Sequence, residues 1–135
     1  MPPIRSITLR EIESARQRQA GVVLRTPLIY SHTLSRASGR EVFLKLENLQ
    51  TTGSFKLRGA INRLALLKER GEGLKVVAAS AGNHGQGVAF AAAQLGLPAT
   101  IVMPRGASIS KQLATQGYGA EVVLHGRDLG EALVQ

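Results

Sequence analysis

Two segments carry residues that can do chemistry. The first is Thr51-Thr52-Gly53-Ser54-Phe55-Lys56-Leu57-Arg58-Gly59-Ala60. Ser54 is a favoured N-cap type, because its hydroxyl can accept from a free amide of the first helical turn. That predicts Lys56 in the first turn, at the positive end of the helix dipole. Both the positive field and partial burial disfavour the protonated amine. A lysine held this way can attack a carbonyl carbon and afterwards act as a base. Spacing alone also allows the ordinary alternative, an exposed lysine near a helix end.

The second segment is Ser80-Ala81-Gly82-Asn83-His84-Gly85-Gln86-Gly87. It follows an apolar run and opens a helical pattern. In an open α/β sheet, ligands bind beyond the carboxyl ends of the strands. Free amides at a helix start attract anions, and closely spaced glycines let a ligand approach the backbone. The order G-x-x-G-x-G is neither the dinucleotide fingerprint nor a phosphate-binding P-loop. A glycine-rich turn serving only tight packing is the competing reading at this point.

These segments need elements to position them. Thr8-Leu9-Arg10-Glu11 has the capping-box pattern, with Leu9, Ile12, Ala15 and Ala20 following at roughly helical spacing. Arg25-Thr26-Pro27 interrupts that helix. A short helix is predicted over Ser31–Ser38, stopped by Gly39. Val42–Leu46 reads as a strand. Leu57, Ala60, Ile61, Leu64 and Leu67 form one helical face, ended by Gly71 and Gly73. Then come a strand over Leu74–Ala79, a helix over Asn83–Leu95 and a strand over Ala99–Met103. A helix over Ser108–Gln116 closed by Gly117, a strand over Ala120–Leu124 and a helix starting near Asp128 complete the pattern. This alternation predicts α/β architecture with a mostly parallel sheet. The apolar runs Val76–Ala79 and Thr100–Met103 predict strands covered on both faces.

In this order and on this scaffold, the segments resemble fold-type II pyridoxal-phosphate enzymes of the tryptophan synthase β-like fold. Within these they are most similar to the threonine/serine dehydratases (threonine ammonia-lyases). Arg25-Thr26-Pro27-Leu28, Lys45-Leu46-Glu47-Asn48-Leu49-Gln50, Met103-Pro104 and Tyr118-Gly119-Ala120-Glu121-Val122 carry the resemblance together with the two segments above. It implies that Lys56 holds pyridoxal 5'-phosphate and, once released, takes the substrate Cα proton. It implies that Phe55 packs beside the cofactor ring and that Asn83 bonds its ring oxygen. Ser80, Gly82, Asn83 and His84 would surround the substrate carboxylate, and Arg58 would support local structure. The implied reaction converts L-threonine or L-serine to 2-oxobutyrate or pyruvate with release of ammonia. Serine racemases carry a second serine where this chain has Ala81, which has no exchangeable proton, so elimination is expected over racemisation. The alternatives are a serine racemase-like or other β-eliminating enzyme, and a catalytically incomplete fragment.

The resemblance also implies a truncated arrangement. Residues 1–50 correspond to the N-terminal part of a larger domain and 51–135 to most of a smaller one. The glycine-rich phosphate loop and the residue facing the pyridine nitrogen come later in the family. Weak cofactor binding, little turnover by these 135 residues alone, and a homo-oligomeric parent enzyme are therefore expected.

Composition narrows the remaining classes. Hydrophobic residues make up 44% and charged residues 19%, which suits a packed core rather than a disordered chain. The absence of cysteine excludes disulfides and thiolate metal sites and fits a reducing, cytoplasmic setting. No metal site is expected. The net charge is +8, but the basic residues are scattered and aromatic content is only 4%, so nucleic acid is not expected as a partner. Neither a signal peptide nor a membrane span is expected. The longest apolar stretch, Val88–Met103, is broken by Gln94, Gly96 and Pro98.

Overall fold

The computed structural model describes residues 6–72 and 75–134. Gly73, Leu74 and the first residues of the chain, on which some of the expectations above fall, lie outside them. The elements in chain order are α1 (Leu9–Arg18), β1 (Leu28–Tyr30), α2 (His32–Ser38), β2 (Phe43–Lys45), α3 (Lys56–Glu69) and β3 (Val76–Ala79). They continue with α4 (Asn83–Gln94), β4 (Ala99–Met103), α5 (Ile109–Gly117), β5 (Glu121–Leu124) and α6 (Leu129–Ala132). A single 3-10 turn, Glu47–Leu49, leads out of β2.

The main sheet has the order β3-β4-β5, all parallel. Each crossover carries a helix, α4 and then α5, as parallel pairing requires. Central β4 is buried along its whole length, whereas β3 is an edge strand whose Val77 is 64% exposed. The expectation that both apolar runs are covered on both faces therefore holds only for β4. A second sheet pairs β1 with β2 antiparallel, Leu28 opposite Lys45 and Tyr30 opposite Phe43. The sequence reading missed β1, because Pro27 and its short length left no periodic signal.

The core forms where α3 and α4 cross the sheet. Leu57, Ala60, Ile61 and Leu64 of α3 meet Val88, Ala89, Ala91 and Ala92 of α4 and Ile101 and Met103 of β4. Burying a residue such as Ile61 contributes about 1.5–3 kcal/mol. Glycine and alanine on α4 let the two helices approach closely. A Cβ on Gly85 would lie 2.9 Å from the Ser80 carbonyl oxygen and 3.0 Å from Ile101. A Cβ on Gly87 would lie 3.1 Å from the Leu57 nitrogen and 3.2 Å from the Lys56 carbonyl carbon. Phe90 and Tyr118 stack edge to face at 5.5 Å, joining α4 to the end of α5.

The predicted caps are present at α1, α2 and α6. Thr8 and Glu11 form a reciprocal capping box, Ser31 caps α2, and Asp128 caps α6. Gly39 ends α2 in the left-handed region at φ 68°. α5 instead runs through Gly117, and the left-handed turn falls at Gly119, φ 92°. Helix α1 buries no residue, and Leu9 and Ile12 are exposed, so their helical spacing does not mark a core face. It leans on α3 through its last turn. Arg18 pairs with Glu69 at 3.0 Å, and Gln19 donates to the Arg58 carbonyl at 3.1 Å.

The arm after α1 is tied down by polar side chains. Gln50, 4% exposed, accepts from the Leu24 amide and donates to the Leu24 carbonyl, both at 3.0 Å. Glu47 receives two bonds from Arg58, at 2.9 and 2.8 Å, and a third from the Thr26 hydroxyl. Lys45 donates to the Thr26 carbonyl at 2.6 Å. The Arg58 hydrogen bonds, reinforced by the Thr26 hydroxyl and the charges of Arg58 and Lys45, hold the Glu47 carboxyl below the usual carboxylate range. A depressed folded-state pKa gives stability that is complete above the unfolded value and lost as pH falls through the folded one. Melting temperatures of the wild type and Glu47→Gln should therefore differ most near neutral pH and converge below about pH 4, the ordinary glutamate range. A constant difference across that range would show that the Glu47 charge does not matter.

Candidate functional site

The loop before α3 sets the place of Lys56. Gly53, at φ 69°, turns the chain, and its amide donates to the Gln50 carbonyl at 2.7 Å. Ser54 is buried, but it is not the N-cap. The cap position is Phe55, in helical conformation and without a side-chain cap bond. The Ser54 hydroxyl instead accepts from the Lys56 amide at 3.4 Å, a long bond. Lys56 is thus the first residue of α3, as the dipole argument requires. It is exposed rather than partly buried, because Leu57 takes the core-facing place in the first turn. Its Nζ lies 4.8 Å from the centre of the exposed Phe55 ring, a cation–π distance. Thr52, 5% exposed, has the one buried side-chain oxygen without a partner among the described residues. Buried polar groups are nearly always paired, so an unpaired one beside a reactive side chain marks a site of function.

The second segment lies at the carboxyl end of β3. Ser80 is buried and its Oγ accepts from the Gly85 amide at 3.0 Å and the Gly82 amide at 3.3 Å. It folds the glycine turn back under the start of α4, and two of the turn's amides are thereby used within the protein. The amides of Asn83 and His84, the first two residues of α4, have no acceptor among the described residues. Both residues are exposed. Gly82 precedes them in extended backbone, and a Cβ there would meet nothing within 4 Å. The fold itself therefore has no steric need for glycine at 82, although it does at 85 and 87.

The two segments come together through packing. Gly87 lies one helical turn beyond Asn83, on the same face of α4, and it touches the backbone and Cβ of Lys56. His84 lines an apolar groove of about 360 Å³ with Gly59, Ala60 and Arg63. Those three follow Lys56 at three, four and seven residues, so the groove runs along the face of α3 that bears Lys56. An amine, free backbone donors and an amide side chain thus meet where two helix N-termini converge. Such a place can bind an anion and present a nucleophile to it. Sequence reasoning missed the buried roles of Thr26, Gln50 and Thr52. Thr26 and Glu47 are 21 residues apart, and no local pattern links them.

Among the described residues no group of histidine or acidic side chains could hold a metal, and no helix is long and apolar enough to cross a membrane. Comparison with known proteins gives one consistent result. The chain is 55% identical over 126 residues to the L-threonine ammonia-lyase of Thermotoga maritima, covering 93% of this chain and 31% of that protein. It is 50% identical to the catabolic L-threonine dehydratase of Staphylococcus aureus strain USA300, covering 93% of this chain and 36% of the relative. The chain thus spans about a third of the length of these relatives. Among solved structures, a bacterial threonine deaminase (source given as T.th.) superposes with a TM-score of 0.81 at 39% identity, over 95% of this chain and 40% of that one. Maize serine racemase superposes with a TM-score of 0.86 at 34% identity, over 96% of this chain and 40% of that one. These structures bear out the α/β fold of type II pyridoxal-phosphate enzymes. The family model described as "Pyridoxal-phosphate dependent enzyme" matches residues 20–134, and the chain belongs to that family.

Proposed function

We propose that this chain forms the N-terminal part of a pyridoxal-phosphate-dependent ammonia-lyase acting on L-threonine and L-serine. The observation that carries the reading is the packing of the α3 start against Gly87 of α4, which sets Lys56 beside the free amides of α4. The residues present fit the cofactor and an amino-acid substrate. An exposed amine is available to an aldehyde. The open face at Gly82 admits a ligand, and the Asn83 and His84 amides suit a carboxylate.

When bound, pyridoxal phosphate supplies a ring that stabilises negative charge at the substrate Cα. Lys56 holds the cofactor through its Nζ and, once displaced by the substrate amine, accepts the Cα proton there. Asn83 fixes the cofactor by a hydrogen bond from its side chain, and Phe55 shields the neighbouring face. The amides of Asn83 and His84 hold the carboxylate and so orient the Cα–H bond towards Lys56. Ser80 maintains the turn through its bonds to the Gly82 and Gly85 amides. Departure of the β-hydroxyl leaves a 2-oxo acid and ammonia after hydrolysis. Ala81 offers no proton for the opposite face of Cα, which favours elimination over racemisation. Residues 1–50 belong to a larger domain in this reading and 51–135 to a smaller one. The separation of the β1-β2 sheet from the β3-β4-β5 sheet supports that division. The setting is cytoplasmic and the assembled enzyme a homo-oligomer.

Two outcomes test the reading. Borohydride trapping of pyridoxal phosphate, followed by peptide mass spectrometry, should label Lys56 ahead of Lys45, Lys68, Lys75 and Lys111. Lys56→Ala should lose that label and, in the longer enzyme, abolish 2-oxobutyrate formation. Equal labelling of all five lysines in the wild type would contradict it. Gly82→Ala should keep the stability within about 1 kcal/mol of wild type in thermal melts, the cost of an exposed change. The added methyl should nevertheless cut Lys56 labelling and weaken substrate binding. Unchanged labelling in that variant would mean that no ligand approaches Gly82.

A further inference from the structure

Lys56 stands at a helix start that its own sequence holds poorly. Phe55 offers no side-chain cap, the Ser54 bond to the Lys56 amide is long at 3.4 Å, and Gly53 gives the preceding turn a flexible backbone. Two anchors bracket this weak stretch. On its N-terminal side, Gln50 bonds both backbone groups of Leu24 and the Thr51 amide. On its C-terminal side, Arg58 is the third residue of α3. Its guanidinium takes Glu47 through two parallel bonds and reaches the Leu24 carbonyl at 3.1 Å, while its own carbonyl receives Gln19. The Glu47 and Arg58 side chains are only 17% and 30% exposed, so this pair is better shielded than Arg127–Glu131 at the surface.

We infer that the Glu47–Arg58 pair is a positioning clamp for Lys56, fixing the direction in which α3 leaves the loop and hence the place of the Lys56 amine over α4. Arg58 and Glu47 act through the backbone and touch no reacting atom. The planar two-bond geometry is the working feature, and a lysine at 58 keeps the charge but cannot reproduce the fork. Gly87 supports the first turn from one side, and the clamp sets it from the other. The inference rests on the assignment of Lys56 as the cofactor lysine, but its mechanical part can be read without cofactor.

The test compares Arg58→Lys and Glu47→Gln with Arg18→Ala in the whole chain. Arg18→Ala removes the Glu69 pair from the far end of the same helix and reports a purely structural loss. Hydrogen exchange of the apo protein is followed at residues 53–58 and at β4. Borohydride labelling at Lys56 is measured relative to Lys68, Lys75 and Lys111. In both clamp variants, exchange at 53–58 should rise at least tenfold with β4 unchanged, and the relative label at Lys56 should fall about tenfold, as small misplacement of a reactive group allows. Arg18→Ala should leave both ratios near wild type. Should Arg58→Lys fail to fold, Glu47→Gln carries the comparison, since it keeps the shape of the side chain. If the clamp variants match Arg18→Ala in both readouts, the clamp is overturned. If wild-type protein shows no preference for Lys56, the cofactor assignment fails, and local against uniform exchange then decides the clamp alone.

Discussion

The close passage of the first turn of α3 over Gly87 of α4 is the constraint on which this structure depends. A Cβ at 87 would sit 3.1 Å from the Leu57 nitrogen, tighter than ordinary van der Waals contact. Only glycine lets the two helix starts come together without displacement. The same crossing places Leu57 and Ile61 against Val88 and Ala91 and so builds the core. Stability and function share one contact. The packing that buries the apolar face of α3 also sets its N-terminal lysine beside the free donors of α4. Gly85 does comparable work beneath the turn, where a side chain would collide with Ser80 and Ile101.

Around that crossing the division of labour is physical. Buried groups hold the geometry: Ser80 gathers the turn amides, and Thr26, Glu47, Gln50 and Arg58 hold the arm and the loop. Exposed groups are left for ligands, namely Lys56, Phe55, Asn83 and His84. The loop keeps its cost local. Thr52 Oγ1 is buried without a partner, a penalty of about 1–3 kcal/mol. Such unsatisfied polar groups collect at sites of function, where the rest of the fold over-determines the geometry.

Much of the fold was legible because its signals are local. The capping box at Thr8, the stop at Gly39 and the apolar face of α3 each depend on residues a few positions apart. The buried β4 run was legible for the same reason. What escaped was non-local or too short to show a period. Strand β1 is only three residues long and follows a proline. The apolar spacing of α1 suggested a buried stripe, yet the helix rests on α3 only through Arg18 and Gln19. Edge exposure of Val77 could not be read from a run as apolar as that of β4, because strand order is a property of the assembled sheet. At the site, residue types alone pointed to Lys56 and Asn83. The exposure of Lys56 and the inward turn of Ser80 needed coordinates. Gly82 and Gly87 look alike in sequence, but Gly87 packs against a neighbouring helix and Gly82 faces open space.

The central claim is that the amine of Lys56 and the backbone donors at the start of α4 look onto one shared space. Titration of isotopically labelled protein with pyridoxal phosphate, followed by nuclear magnetic resonance, tests it most directly. The account predicts that the amide signals of Asn83 and His84 move together with the Lys56 side-chain signals, along a single binding curve that Lys56→Ala weakens. Movement at Lys56 with the α4 amides unaffected, or separate curves for the two, would contradict it.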